Sequence, residues 1–315
     1  MISKVLNDAP SYLCRMIRAF LQSFGYLLVL ALIWGSSFIL MKKGMGSELQ
    51  PTFSSWQVAS IRLVTAMLFF LPFVYKARNL LFNRDTPWFL VVGILGNGIP
   101  AYLFTYAETG ISSSMAGMLN SLTPLFTLLV AIAAFRMAFK PLQMLGILIG
   151  MSGAALLVFR GSSSEENSLF HASMVVIATI LYAFSVNTIR HKLAHVHSVS
   201  IAAIAVFYVG VPALILLLFQ QPLDVLELPG AGWSLLAIVA LGLFGTAISL
   251  LFWNDLIKRR GAVFSTSVTY LIPFVAAFWG WLDGEQFGWT AIIAAVLVLI
   301  GIAVVNYAGP AKERN

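Results

Sequence analysis

Ten apolar runs, each close to the thickness of a bilayer core, constrain this chain more than any other feature. They span about Phe24–Met41, Phe53–Val74, Trp88–Ala107, Ser113–Phe135, Leu142–Phe159, Leu169–Ile189, Ser198–Phe219, Trp233–Trp253, Val263–Leu282 and Phe287–Ala308. A helix needs about 20 apolar residues to cross the hydrocarbon. Turn residues separate the runs, at Gly46–Pro51, Asp85–Pro87, Gly110–Ser114, Lys140–Pro141, Gly161–Ser168, Gln220–Gly232 and Asp283–Gly284. Gaps this short make neighbouring helices antiparallel hairpins. Strands of an outer-membrane barrel would alternate apolar and polar residues; these runs do not. Charged residues make up 10% of the chain, against about 25% in a soluble domain. The expected fold is an all-α membrane protein of ten transmembrane helices.

Charge placement tests that count. With the N-terminus in the cytoplasm and ten alternating helices, 15 of the 19 Lys and Arg fall on the inner side. Lys42, Lys43 and Arg160 fall outside, and Arg62 lies within a helix. Such an excess on the cytoplasmic side of an inner (plasma) membrane is the positive-inside rule. Changing the helix count by one destroys it. Both termini are therefore expected in the cytoplasm. Residues 1–23, with Lys4, Arg15 and Arg18, read as a partly amphipathic cytoplasmic arm. A cleaved signal peptide is disfavoured, because no small-residue cleavage site follows Phe24. The net charge of +7 has the same origin. No basic-aromatic patch points to nucleic acid. The single Cys14 excludes an internal disulfide and a Cys-rich metal site.

The hydrophilic stretch 161–168 lies near mid-chain and leaves five runs on each side. Aligning Pro124 with Pro273 lays the fourth run over the ninth, and Arg136 then falls on Glu285, each twelve residues after its proline. Five is odd, so a duplicated unit inserts upside down the second time, and a charge that sets orientation reverses sign. The expected organisation is an arm (1–23), a first unit (24–160), an outer linker (161–168), a second unit (169–308) and a cytoplasmic tail (309–315). Inverted repeats of this kind are a common transporter construction.

Polar residues and helix breakers inside apolar runs are the candidate site. An unpaired polar group in hydrocarbon costs several kcal/mol, so such groups persist where they face protein or a water-filled cavity. The stretch Asn97–Pro124 collects Asn97, Pro100, Glu108, Asn120 and Pro124, with an echo from Asn254 to Pro273. Asn97, Asn120, Asn187 and Asn254 can bind a solute or bridge two helices. Pro100, Pro124 and Pro273 free backbone carbonyls and permit kinks, as hinges or gates or as ordinary packing. Arg62, nine residues into the second run, needs a partner or a cavity; it can meet a solute carboxylate or brace Glu108 or a backbone carbonyl. Glu108, at the end of the third run, is a candidate for proton or ion coupling or an interfacial loop residue. Trp34, Tyr102, Tyr182 and Tyr270 are candidates to line a cavity for neutral or zwitterionic organic solutes, whereas Trp88, Trp233 and Trp289 open their helices and fit the interfacial belt. Gly146, Gly150 and Gly153 allow a close helix contact, either with the tenth helix or with a second subunit in a homodimer. His191, His195 and His197 lack the spacing and further ligand of a metal site. No Ser/His/Asp set, phosphate-cradling loop or acid pair supports catalysis, and no cofactor is implied.

Several segments together carry a family resemblance: ALIWGSSFILMKKG in the first run, ASIRLVTAMLFF in the second, SLTPLFTLLVA followed by GILIGMSGAALLV in the fourth and fifth, and IPFVAAFWGWLDGEQFGWTAIIAAVLVLIGIAVV in the last two. Over about residues 24–308 the chain resembles the EamA-type transporters of the drug/metabolite transporter superfamily. The resemblance implies two inverted EamA repeats of five helices and alternating-access movement of a small metabolite, usually outward. Trp34-Gly35-Ser36-Ser37-Phe38 and Gly284-Glu285 match the family pattern best, which adds Ser37 to the candidate substrate-binding residues. The first repeat departs from it, with Arg136-Met137 where Gly-Glu is usual. The resemblance extends to bacterial exporters of amino acids and aromatic metabolites. The expected partners are a small-molecule solute and the lipid bilayer. No nucleotide-binding motif is present, so an ion gradient or the solute's own gradient drives movement. An organic-phosphate or nucleotide-sugar antiporter is the alternative, disfavoured because it wants two or more cations in the membrane. A non-transporting membrane protein or a membrane-embedded enzyme is the second alternative.

Overall fold

The structure is a computed structural model, and it describes residues 25–47, 50–160, 169–285 and 288–308. The N-terminal arm, the mid-chain linker and the C-terminal tail named above lie outside the described residues. Among the described residues seven helices are long and apolar enough to cross a membrane: α1 (Gly25–Met45), α2 (Ser55–Lys76), α3 (Thr86–Ala107), α4 (Ser113–Ala133), α6 (Leu169–Lys192), α7 (Ser198–Phe219) and α8 (Ala231–Arg260). Three elements have shorter apolar stretches. They are α5 (Pro141–Arg160), α9 (Ala262–Thr266, a 3-10 turn Ser267–Tyr270, then Ile272–Leu282) and α10 (Trp289–Ala308). A two-residue hairpin, Gly46–Ser47 with Gln50–Pro51, follows α1. Large apolar side chains such as Leu148, Leu218, Phe219, Trp233 and Trp281 stand exposed on the outer faces. In lipid that exposure carries no hydrophobic penalty, and helices meet every backbone bond internally.

Local sequence explains where helices start and break. Ser54 and Gln57 form a reciprocal cap on α2, with Gln57 N donating to Ser54 Oγ (3.2 Å) and Ser54 N to Gln57 Oε1 (2.8 Å). α4 breaks after Asn120 because Pro124 has no N–H for the Asn120 carbonyl. Thr123 Oγ1 donates to that carbonyl instead, at 2.7 Å. α9 breaks at the matching place, with Pro273 in the first turn after the interruption. α3 and α8 each contain a widened π-helical stretch, Ile94–Gly98 and Leu241–Ile248. Such stretches open the regular ladder and are frequent at functional sites.

The packing exchanges partners between the two halves. The same 149 positions separate Pro124 from Pro273, Gly96 from Gly245 and Gly93 from Gly242. The contacts obey the exchange. A Cβ at Gly93 in α3 would stand 2.5 Å from the Ala205 carbonyl oxygen of α7, and one at Gly242 in α8 would stand 2.7 Å from the Arg62 carbonyl oxygen of α2. Likewise Gly96 faces Ser185 Oγ of α6, and Gly245 faces Ser37 Oγ of α1. Each of α2–α7, α4–α9 and α5–α10 pairs a helix with its own mate. In the last pair Gly146 lies backbone-to-backbone against Gly301, where an added Cβ would be 2.5 Å from the Gly301 oxygen. The close contact expected of the α5 glycines is therefore made with the tenth helix. One apolar core gathers around α4, α5, α9 and α10 and another around α2, α7 and α8. Trp34 packs against both.

Candidate functional site

Between the two cores lies a cavity of about 110 Å³, room for several waters or one small solute. Its walls come from both halves. α1 contributes Trp34, Ser37, Phe38 and Met41, and α6 contributes Tyr182, Ser185, Val186 and Ile189. These are mates, 148 positions apart in each case. α3 and α8 contribute the π-helical residues Gly96, Asn97, Gly245 and Thr246. Asn120 and Thr123 enter from the break in α4, and Thr269 from the break in α9. The irregular turns of four helices thus converge on one space.

Trp34 is held across the halves, its indole Nε1 donating to Gly245 O (3.0 Å) and Ser249 Oγ (3.1 Å). Its ring meets Trp253 edge-on at 4.9 Å. Tyr182 stacks on Phe104 at 5.8 Å. Ser37 Oγ donates to its own helix at Ile33 O (3.0 Å). Asn120 Oδ1 accepts from Thr123 Oγ1 at 3.4 Å. The Asn97 amide lines the cavity with no hydrogen-bond partner among the described residues. Asn254 also lines it, its Nδ2 donating to Ser198 O (3.4 Å) and its buried Oδ1 unpartnered among the described residues.

Arg62 is the one charged residue in the described lining. Its Nε donates to Thr246 Oγ1 of α8 at 2.8 Å. Its Nη1 has only Met41 Sδ, at 3.9 Å. Among the described residues no carboxylate lies within the 4 Å of an ion pair with it.

Six of the nine residues expected to bind solute meet at this cavity: Trp34, Ser37, Arg62, Asn97, Asn120 and Tyr182. Three stand outside its lining. Tyr102 shares a 3.0 Å hydrogen bond with Ser60 and packs on Trp56. Asn187 Nδ2 bridges helices, donating to Thr127 O (3.0 Å) and Ala183 O (2.9 Å). Tyr270 packs beside the apolar core of α4 and α9. Of the expected hinges, Pro124 and Pro273 sit at the two breaks, and Pro100 lies two residues past the α3 π stretch. Ser185, Thr246, Ser249 and Thr269 were not singled out by the sequence. Extending the Pro124–Pro273 alignment back to Gly96–Gly245 would have pointed to Thr246 as the mate of Asn97.

A second polar cluster closes one end, one residue beyond Met41. Glu285 crosses from the α9–α10 connection to the start of α4, where Oε1 accepts from Ser113 N (3.0 Å) and Oε2 from Ser114 N (3.2 Å) and Ser114 Oγ. A carboxylate there satisfies orphan helix donors and meets the positive end of the helix dipole. Lys42 Nζ lies 2.9 Å from Asp283 and 3.5 Å from Glu285, and Lys43 also pairs with Asp283. Burial pushes the Asp283 carboxyl up, but hydrogen bonds and charge from Lys42 and Lys43 outweigh it and hold it below its ordinary value. Glu108 is buried in this cluster, with Ser113 Oγ donating to Oε2 at 3.3 Å and Oε1 unpartnered among the described residues. Glu108 and Arg62 are electrostatic neighbours without a direct bond. Arg136, the mate of Glu285, is instead exposed, with a left-handed backbone (φ 53°). The helix-tying carboxylate exists in one half only.

Comparison with known proteins agrees with this architecture. The chain is 26% identical over 304 residues to an uncharacterized inner membrane transporter, YedA, of Escherichia coli K12, covering 94% of this chain and 95% of that one. It is 25% identical over 225 residues to a probable terminal-alkyne amino-acid exporter of Streptantibioticus cattleyicolor, covering 71% and 74%. A solved crystal structure superposes over 91% of this chain and 96% of its own, with a TM-score of 0.63 at 17% identity, which speaks for the fold alone. The model of the EamA-like transporter family matches twice, at residues 23–159 and 169–307. With that double match across a duplicated helical membrane architecture, the chain belongs to the EamA-like transporter family.

Proposed function

We propose that this protein is a secondary active transporter that exports a small organic metabolite across the inner membrane by alternating access, with amino acids or aromatic, amphipathic metabolites as its solutes. The observation that carries the reading is the cavity shared by the two halves, lined by Arg62 and Asn97, where the Arg62 Nη groups and the Asn97 amide have no oxygen partner among the described residues. Buried polar groups left open in this way cost stability unless water or a solute meets them. The Lys42–Asp283–Glu285 cluster supports a state shut at the outer end. Rocking of one five-helix half against the other would break it and re-form the mate contacts on the opposite side. The three shorter helices complete ten crossings, both termini lie in the cytoplasm, and an ion or solute gradient drives movement. The amino-acid exporter among the relatives favours a solute of that class.

Transport of a labelled panel of amino acids, amines and aromatic metabolites in proteoliposomes, with and without a pH gradient, tests this. The proposal expects at least one member to accumulate, with counterflow when unlabelled solute is loaded on the far side. No movement of any of the three classes would remove the solute assignment. An organic phosphate moving in their place would favour the antiporter reading.

A further inference from the structure

The lining of the cavity carries one charge, and among the described residues no carboxylate lies within ion-pair distance of it. Arg62 Nε is committed to Thr246 Oγ1 at 2.8 Å, which fixes the plane of the guanidinium. Its two Nη groups have no oxygen acceptor among the described residues, the nearest recorded contact being Met41 Sδ at 3.9 Å. A cation left this way at membrane depth is costly. A guanidinium with two parallel N–H groups free matches a carboxylate, which it takes bidentately.

Main-chain packing at this place does not require the charge. Arg62 has a mate, Ala205, at the same place in the other half. Both residues do the same packing with their main-chain oxygens, against Gly242 and Gly93. The fold therefore makes that contact once with a guanidinium and once with a methyl group. The nearby acid, Glu108, does not neutralise Arg62 directly: it is engaged by Ser113 and stands beyond ion-pair distance. Among the described residues no Asp or Glu lines the cavity to receive an ammonium, and no second cation lines it for a phosphate dianion. The rest of the described wall is largely apolar and includes the aromatic rings of Trp34, Phe104, Tyr182 and Trp253.

We infer that the solute of this cavity carries a single carboxylate on an apolar body of aromatic size, and that Arg62, steadied by Thr246, is the seat of the carboxylate. This names the solute class of the cavity on which the transport reading rests. An amino group is not what the site selects.

Three probes separate charge from shape: phenylacetate, its neutral isostere phenylacetamide, and the similarly sized cation phenethylamine. Binding to the purified full chain at pH 7 is read by thermal shift and tryptophan fluorescence, and transport by proteoliposome uptake. Phenylacetate should bind at least ten-fold more tightly than phenylacetamide, and phenethylamine should not compete with it. Arg62→Gln should abolish the preference for acid over amide, and Arg62→Lys should keep part of it. If Arg62→Gln does not fold, the wild-type ratio of acid to amide decides alone. Equal binding of acid and amide, a preference for the amine, no binding of phenylacetate, or an unchanged preference in Arg62→Gln would overturn the inference. Binding of phenylacetate with no uptake of any panel member leaves the carboxylate seat standing and fells the transport reading. Uptake of amines with no binding of phenylacetate does the reverse.

Discussion

Arg62 and Ala205 occupy matching places in the two halves, and so do Glu285 and Arg136. The backbone of each half repeats the other down to the π-helical stretches and the broken helices. The chemistry hung on that backbone does not repeat. One half brings the guanidinium to the cavity; the other brings the carboxylate that ties the start of α4. On the proposed alternating-access reading, the shared features serve rocking between two states, and the unshared ones serve one solute and one side of the membrane.

Substitutions at mate positions measure how far the two halves differ. The largest effect is expected on transport. Arg62→Ala copies the second half onto the first and removes charged hydrogen bonds worth about 1.5–3 kcal/mol. Apparent solute affinity should fall by about 10- to 100-fold with normal membrane expression, whereas Ala205→Ser should change it little. Next come the shared contacts. Gly242→Ala and Gly93→Ala each drive a methyl into a main-chain oxygen, at 2.7 and 2.5 Å. Each should destabilise by about 1–3 kcal/mol as overpacking, and thermal unfolding in detergent should show the two losses to be similar.

The unshared carboxylate comes third. Glu285→Gln weakens acceptance from the Ser113 and Ser114 amides, at a cost of about 1–3 kcal/mol. Exposed Arg136→Gln should cost less than about 0.5 kcal/mol. The same cluster fixes a pH dependence. The Asp283 carboxyl is held below its ordinary value, so its ion pairs with Lys42 and Lys43 are present above that value and lost as pH falls through the lowered one. A melting profile from pH 8 to pH 5 should therefore show no loss that Asp283→Asn removes; the loss belongs to stronger acid. The smallest effect separates the aromatic mates. Trp34→Phe loses the bonds to Gly245 and Ser249 and should cost about 1 kcal/mol. Tyr182→Phe should cost less, since no hydrogen bond to its hydroxyl is recorded among the described residues.

Much of the fold was legible because hydrophobic length and charge bias act along the chain. The runs and the cation asymmetry need no tertiary contact to be read. Pro124 and Pro273 were legible as mates because proline breaks a helix wherever it stands. The site was legible only where a residue is anomalous in hydrocarbon, as Arg62 and Asn97 are. Ser185, Thr246 and Ser249 are ordinary residues in a membrane helix, of a kind often bonded back to its own turn, and what marks them is their tertiary place in the cavity wall; of the three, Thr246 alone lies in a π-helical stretch. Tyr102 and Asn187 show the converse. They look equally anomalous in sequence, yet Tyr102 shares its hydroxyl and Asn187 its Nδ2 with a neighbouring helix, Asn187 Oδ1 being unpartnered among the described residues. Nothing local distinguishes a bridging asparagine from a binding one.

On the proposed reading, the cavity between the halves is released at its outer end for solute to leave. Lys42 and Asp283, 2.9 Å apart at that end, allow a direct test. In a Cys14→Ser background, Lys42→Cys with Asp283→Cys would be joined by a short cleavable bismaleimide in proteoliposomes. Transport should stop on joining and return on cleavage, while each single cysteine variant treated alike keeps its rate. Unchanged transport with the bridge quantitatively formed would contradict the account.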